Sequence, residues 1–511
     1  MEKEKLGNYS ALEKSKKIKH CMDMEKLPDL KTLTSDEKDA LIVALYELVV
    51  ELRLIIQQQA EELEKVKGQL SKNSQNSSKP PASDGLSKPA PKSLRTPSNK
   101  NSGGQKGHKG HYLEAVASPD HIEQYTVSHC ELCAKNLETV VATGFEERQV
   151  FDIPPPRVEV TAHRAEKKYC ACGHLTTASF PPEVTASVQY GARIKAVAVY
   201  LNQYQLIPYA RVEEMLESLY GVSLCEGSLY HYNLQAYHAL EDTHTQIKDA
   251  VKQQPLIHAD ESGIRVEGSL HWVHSIGTAQ LTYYQHHEKR GQVAMDAIGV
   301  LPNYTGIVVH DHLKAYLRYT DCAHSLCNAH HLRELVFLLE HAELAWAGEM
   351  IRLLVVMKKC AERAKNKGQR ELHPRLQSLL MQRYDNLLEV GFKHDKALHP
   401  HENIADPPKK RGRKKQSKAK NLLDRLQHFK TETLRFLTDL TVPFDNNLAE
   451  RDIRMVKLKQ KISGTFRSNQ GASLFFRIRS YLSSAKKQGH NILNALTLSF
   501  QGHPLDLVGA E

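Results

Sequence analysis

The chain has 511 residues, a mass of 57.8 kDa and a formal net charge of +10, room for roughly three to four domains of about 100–200 residues each. Hydrophobic residues at 41% and charged residues at 25% are ordinary globular values that allow a real core. No run of about 18 apolar residues occurs, which excludes a membrane-spanning helix. The opening MEKEKLGNYS lacks the apolar stretch of a secretion signal, and nine cysteines are too few for a disulfide scaffold.

Residues 1–35 read as an N-terminal tail. Over 36–70, Ile42, Leu45, Val49, Leu52, Ile56, Gln59, Leu63, Val66 and Leu70 alternate three and four apart, the a/d pattern of a coiled coil. Such a seam predicts a homo-oligomer, although one helix packed on its own domain has the same pattern. From 71 to 112 Ser, Asn, Pro, Gly and Lys dominate, and the stretch SKNSQNSSKPPASDGLSKPAPKSLRTPSNKNSGGQKGHKG holds one acid, Asp84. That composition predicts a disordered basic linker, a plain spacer or one that meets a polyanion.

Residues 113–182 carry two cysteine knuckles, Cys130-x-x-Cys133 and Cys170-x-Cys172, separated by a strand-rich stretch. Close pairs supply a tetrahedral ion with two soft ligands each, so Cys130, Cys133, Cys170 and Cys172 are expected to hold a structural Zn²⁺ in a zinc ribbon-like module. The second pair is CxC, and His129 and His174 are substitutes. Residues 183–250 are expected to be helical, with Gly221 ending one helix and Glu226-Gly-Ser228 opening the next. Helix, turn and helix make a helix-turn-helix candidate whose second helix bears Tyr230, His231 and Tyr232, and packing alone accounts for it equally.

After residue 254 the period changes to two. PLIHADESGIRV, SLHWVHSIGT and LTYYQHHEK predict three strands, RGQVAMDAIGVL a helix, GIVVHD and HSLCNA two more strands, and HHLRELVFLLEHAEL a helix. Asp260 falls mid-strand and Asp311 directly after Ile307-Val308-Val309. An acid among apolar strand residues is costly unless paired, metal-bound or exposed. Two such carboxylates suit Mg²⁺ or Mn²⁺ if the first and fourth strands are neighbours, converging at a sheet edge. Glu261, one residue on, is expected on the opposite face. A third acid, Glu450, lies where Thr441-Val-Pro443-Phe-Asp445-Asn-Asn447 leads into a helix, and its bland fate is a surface pair with Arg454.

The set HADESG, VVHDHLKAY, HSLCNAHHLREL and PFDNNLAERDIRMVKLKQKISGTFRS closely resembles the insertion sequence sixty-six family of DDE transposases, and upstream motifs extend the resemblance over roughly residues 70–490. It implies a ribonuclease H-like fold in which two Asp and one Glu bind two divalent ions. By that resemblance Asp260, Asp311 and Glu450 are the three acids, and Asn446 and Asn447 match the family's Asn pair. The expected fold class is therefore multidomain α+β. It joins the coiled coil, the zinc module, a helical DNA-binding region and an α/β catalytic domain over 251–340 and 440–490. A mainly helical insertion occupies 341–439, and 491–511 form a C-terminal tail.

Positive charge surrounds the acids in sequence: Arg451, Arg454, Lys457, Lys461 and Arg467 follow Glu450, with Arg477 and Arg479 beyond. Lys409, Lys410, Arg411 and Arg413 form a basic run in the insertion. Both groups are expected to contact DNA phosphates. The resulting reading is a DNA transposase that binds element ends and target DNA, cleaving and joining strands by two-metal in-line attack. Small accessory proteins encoded beside it are implied partners, and a cytoplasmic, nucleoid-associated location in a bacterial-type cell follows. The alternatives are a catalytically inactive DNA-binding protein derived from a transposase and a carboxylate-pair glycosidase, the latter disfavoured by two tryptophans and the basic tracts.

Overall fold

The structure is a computed structural model that describes residues 34–72, 76, 113–398 and 416–509. Most of the 71–112 linker and the basic run with Lys409, Lys410, Arg411 and Arg413 lie outside the described residues. The chain divides into two units, residues 1–88 with 340–343, and the remainder.

In the first unit α1 (Ser35–Leu70) is one long helix of Leu, Ala, Glu, Gln and Lys, good helix formers with a single glycine near the end. The apolar positions of its a/d seam from Ile42 to Leu70 are 46–81% exposed.

In the second unit, residues 113–182 hold little regular structure beyond the antiparallel hairpin of β1 (Lys167–Tyr169) and β2 (Leu175–Thr177). Apolar side chains there, Ile122, Val150 and Val160 among them, are exposed. A segment with so little buried area requires a staple such as a metal.

Helices α2 (Ala192–Val199), α3 (Tyr209–Tyr220), α4 (Glu226–Ala239) and α5 (Glu241–Lys252) follow. Gly221 ends α3 in the left-handed region at φ 65°, as its position in the sequence predicts. Strands β3 (Leu256–Val266), β4 (Ser269–Gly277) and β5 (Thr282–His287) make an antiparallel meander, and α6 (Gln292–Ile298) leads to β6 (Ile307–His310) and β7 (Ala323–Leu326). The sheet order is β5-β4-β3-β6-β7, with β6 parallel to β3 and β7 parallel to β6. Thus the first and fourth strands of the sequence reading are neighbours. Neither is an outer strand, and Asp311 follows the last residue of β6, so the acids meet where that strand ends.

The alternation of β3 divides the core. Ile257 and Ala259 join a cluster with α2–α5, whereas Ile264 and Val266 pack on the other face with Val456, Phe475 and Phe476. The helical stretch therefore shares one core with the sheet. Tyr232 is buried in it and the Tyr230 hydroxyl donates to Gln470 at 2.7 Å, so these two tyrosines of α4 pack, while His231 is exposed.

After β7 come α7 (Asn328–Ala342), α8 (Ala345–Asn366), α9 (Pro374–Leu398), α10 (Lys418–His428) and α11 (Lys430–Thr438). Trp346, Met350, Tyr384 and Leu423 give these helices a core of their own. The chain then returns as α12 (Asn447–Ser463) and α13 (Asn469–Lys487). The expected C-terminal tail instead begins with α14 (Ile492–Phe500), whose Ile492, Ala495 and Leu496 are buried in the main core. The apolar run ILNALTL draws it there. No described helix is long and apolar enough to cross a membrane.

Candidate active site and metal centres

Three chain segments bring the predicted acids together. The β3–β6 register pairs His258 with Val309, and two residues further it sets Asp260 level with Asp311, just past the end of β6. Asp311 Oδ1 accepts from the Leu313 backbone N–H at 2.8 Å, and Asp260 Oδ1 accepts from that of Glu261 at 2.9 Å. Each carboxylate thus has one oxygen fixed by its own loop or strand.

Glu450 arrives from far along the chain because α12 is tied to β3 at both ends. At its start, Asn446 donates from its amide to the Ala259 carbonyl (2.8 Å) and its Oδ1 lies 2.8 Å from His258 Nδ1. Past its end, Phe466 exchanges backbone hydrogen bonds with Arg265 and Glu267, both 2.9 Å. At about 1.5 Å per residue the helix spans roughly 25 Å, close to the roughly 23 Å of the strand rise from Ala259 to Val266. Glu450, one turn in, is thereby carried to Asp260. Just before the helix, Asp445 Oδ1 accepts from the Asn447 N–H at 3.2 Å. Asn446 makes no side-chain cap; its amide goes to β3.

The surface pair with Arg454 does not describe Glu450. Its partners are Arg333 (3.6 Å) and His330 (4.0 Å), both from α7, and its side chain is 17% exposed. The electrostatics are those of crowded acids. Burial, then Glu261, Asp311 and Glu450, raise the Asp260 carboxyl well above the usual carboxylate range. Glu261 does point to the other face. It accepts from Arg290 at 2.8 and 3.0 Å and from the Tyr316 hydroxyl at 2.8 Å, and burial followed by Asp311 pushes it up to about 7. Arg290 in turn lies over the Trp272 ring. Neither Arg333 nor Arg290 was singled out in the sequence, since nothing local marks an arginine that pairs with an acid from another segment.

His310, His312, His324, Cys327, His330 and His331 crowd around Asp311 in the sequence, and four of them fall in two groups. His310 is fully buried, stacks on Tyr316 at 4.6 Å and meets His324 at 3.1 Å, and burial depresses it to about 3. Cys327, His330 and Glu450 form the other group, with one potential ligand atom of each within 4.8 Å of the others.

The basic residues also divide. Arg451, Arg454, Lys461 and Arg467 are exposed, whereas the Lys457 ammonium donates to the Gly263 carbonyl. Arg479 is buried, donating to the carbonyls of Gln203 and Tyr204. Arg477 stacks on Tyr237 and pairs with Glu241 at 3.2 Å. Those two arginines are structural and do not border the acids.

In the zinc module, backbone N–H groups of Cys133 and Leu132 lower the Cys130 thiol, and those of Cys172 lower Cys170. Such N–H to sulfur bonds stabilise thiolates, the form that ligates zinc. Among the described residues, the knuckle thiols do not gather three at a time within the 4.8 Å that unites the Cys327 group.

A divided antiparallel–parallel sheet that places carboxylates of three distant segments together, behind a cysteine-knuckle module, defines the class to which comparison with known proteins then gives a family. The model described as Transposase IS66 family matches residues 187–474, 288 of the 511 residues, and the chain belongs to that family. A zinc-finger binding domain of transposase IS66 matches residues 128–173, covering all four knuckle cysteines, and a family of unknown function matches 25–114. No curated protein matches the chain.

Proposed function

We propose that the protein is an active DNA transposase that cleaves and joins phosphodiester bonds with Asp260, Asp311 and Glu450. The observation that carries this reading is the crowding of the half-buried Asp260 by Asp311 and Glu450, three acids on separate segments inside the family-matched region. The strand order, with an antiparallel meander continued by two parallel strands, supports a ribonuclease H-like catalytic domain. Mutual repulsion among half-buried carboxylates is costly, and the Glu450 Oε1 atom has no hydrogen-bond partner. An all-oxygen set of this kind fits Mg²⁺ or Mn²⁺. When bound, two such ions supply a deprotonated nucleophile and neutralise charge on the leaving oxygen.

The chain's own residues set the rest. Asn446 holds the α12 start against β3, Arg333 and His330 orient Glu450, and Arg290 with Tyr316 neutralises Glu261 behind Asp260. Exposed Arg451, Arg454, Lys461 and Arg467 on and after α12 offer positive charge to a DNA backbone. The knuckles hold zinc through Cys130, Cys133, Cys170 and Cys172, and self-association through α1 buries its apolar seam in a coiled coil.

A transposition assay in cells tests the reading. A marked element bounded by the gene's own flanking DNA, with adjacent small reading frames kept, is tested with wild type and with Asp260→Asn. Movement with wild type alone establishes the activity and the residue. Movement with both removes Asp260 from the site. No movement with either, given intact inverted ends, favours a DNA-binding protein without catalysis.

A further inference from the structure

We propose that Cys327, His330 and Glu450 form a second metal site, selective for a thiophilic divalent ion such as Zn²⁺, and that its occupation withdraws Glu450 from the oxygen-ligand set and stops strand cleavage. The inference rests on the assignment of Glu450 above and adds a regulatory ion to the same carboxylate.

Cys327 directly precedes α7 and His330 sits in its first turn, so Cys-x-x-His spacing turns both toward one side of the helix start. Glu450 reaches that side from α12. The three ligand atoms lie within 4.8 Å of one another. Around a tetrahedral zinc with bonds of about 2.0–2.3 Å, neighbouring ligand atoms are roughly 3.3–3.8 Å apart. Small side-chain rotations therefore close the site.

A second observation points the same way. His330 Nδ1 and Glu450 Oε1 are both buried and both without a hydrogen-bond partner, and they face each other at 4.0 Å. Two buried orphaned atoms that converge on a sulfur are the signature of a ligand that satisfies them together. The sulfur is held in place, since Cys327 Sγ accepts from the Asn446 backbone N–H at 3.2 Å.

The donor set decides which cation. Sulfur, imidazole nitrogen and one carboxylate oxygen suit zinc, whereas magnesium takes oxygen ligands and keeps its waters. Asp260 and Asp311 offer only oxygen. Glu450 is common to both sets, and its other oxygen already faces Arg333. Held by zinc on one side and Arg333 on the other, it has little charge left for a hard ion.

The test uses the full chain, stripped of metal and titrated with Co²⁺ and then Zn²⁺. Wild type is expected to bind one equivalent more than Cys327→Ser or His330→Gln, with part of its sulfur-to-cobalt absorption lost in Cys327→Ser. His330→Gln carries the comparison if the serine variant does not fold. In magnesium-supported cleavage of end DNA, each protein is compared with its own zinc-free rate. Zinc is expected to inhibit wild type at concentrations at least ten-fold lower than either variant. Equal stoichiometry and equal zinc sensitivity in all three would overturn the site. An extra equivalent through Cys327 in a chain that cleaves no DNA with magnesium would sustain the metal site and overturn the switch together with the transposase assignment.

Discussion

The side-chain amide of Asn446 donates to the carbonyl of Ala259 at 2.8 Å, joining the residue before Asp260 to the start of the helix that carries Glu450. The same Asn, 1% exposed, also meets His258 and donates its backbone N–H to Cys327. One side chain thus sets the spacing of acids that are almost two hundred residues apart in the chain.

Replacing Asn446 by Ala is expected to leave the Ala259 carbonyl and the His258 ring buried without partners, at roughly 1–3 kcal/mol for each group. The helix start is then free to shift, and misplacement by about 1 Å can cost about a hundred-fold in rate. Urea unfolding and cleavage of end DNA measure the two effects. Wild-type cleavage in a destabilised Asn446→Ala protein would refute the positioning role.

The division of the basic residues is testable by salt dependence. Arg451→Ala and Arg454→Ala are each expected to lower the slope of log affinity for DNA against log salt by about 0.9 if each neutralises one phosphate. Arg479→Met is expected to lower the unfolding midpoint and leave that slope unchanged, because Arg479 is spent on backbone carbonyls and the Tyr204 ring.

Acid should destabilise the protein through His244. Burial, followed by the Arg477 charge, depresses it from 6.5 to about 4. Between those values the unfolded chain binds a proton that the folded chain does not, so stability falls as pH falls from about 6.5 to 4. This group alone accounts for about 3 kcal/mol of the loss. His244→Phe keeps an aromatic ring against Tyr283 and should reduce proton uptake on unfolding by one in that window. Unfolding free energies measured at successive pH values check it; an unchanged slope would exclude His244 as the source.

Self-association through α1 is expected to fail in Leu52→Lys, which puts a charge in the middle of the seam. Sedimentation should show the mass fall toward that of a single chain. Gln59→Leu should instead strengthen association, since a polar seam residue gives register at a cost in stability. If Leu52→Lys sediments as wild type does, the seam has another use.

Cys133→Ser is expected to lower bound zinc by one equivalent per chain and to make residues 113–182 sensitive to protease, because that segment exposes its apolar side chains and has little else to hold it. Unchanged zinc content would remove Cys133 from the ligand set.

Local chemistry was readable from the sequence alone. Strand alternation located β3, β4 and β5, Gly221 ended α3, knuckle spacing singled out four cysteines, and the motifs around Asp260, Asp311 and Glu450 carried the family resemblance. These features depend on neighbours within a few residues, where period, turn preference and ligand spacing act. Partnerships between distant segments were decided by the tertiary structure. Arg477 and Arg479 look like DNA-facing charges in sequence, yet packing turns both inward; Lys457 is taken up by a β3 carbonyl. Ile492–Phe500 looks like a tail until the main core provides an apolar surface for it. Cys327 and His330 meet Glu450 only because α12, tied to β3 at both ends, lays one turn of its length against the start of α7. Chain distance carries no information about such meetings, since they follow from the register of strands and the lengths of the helices laid across them.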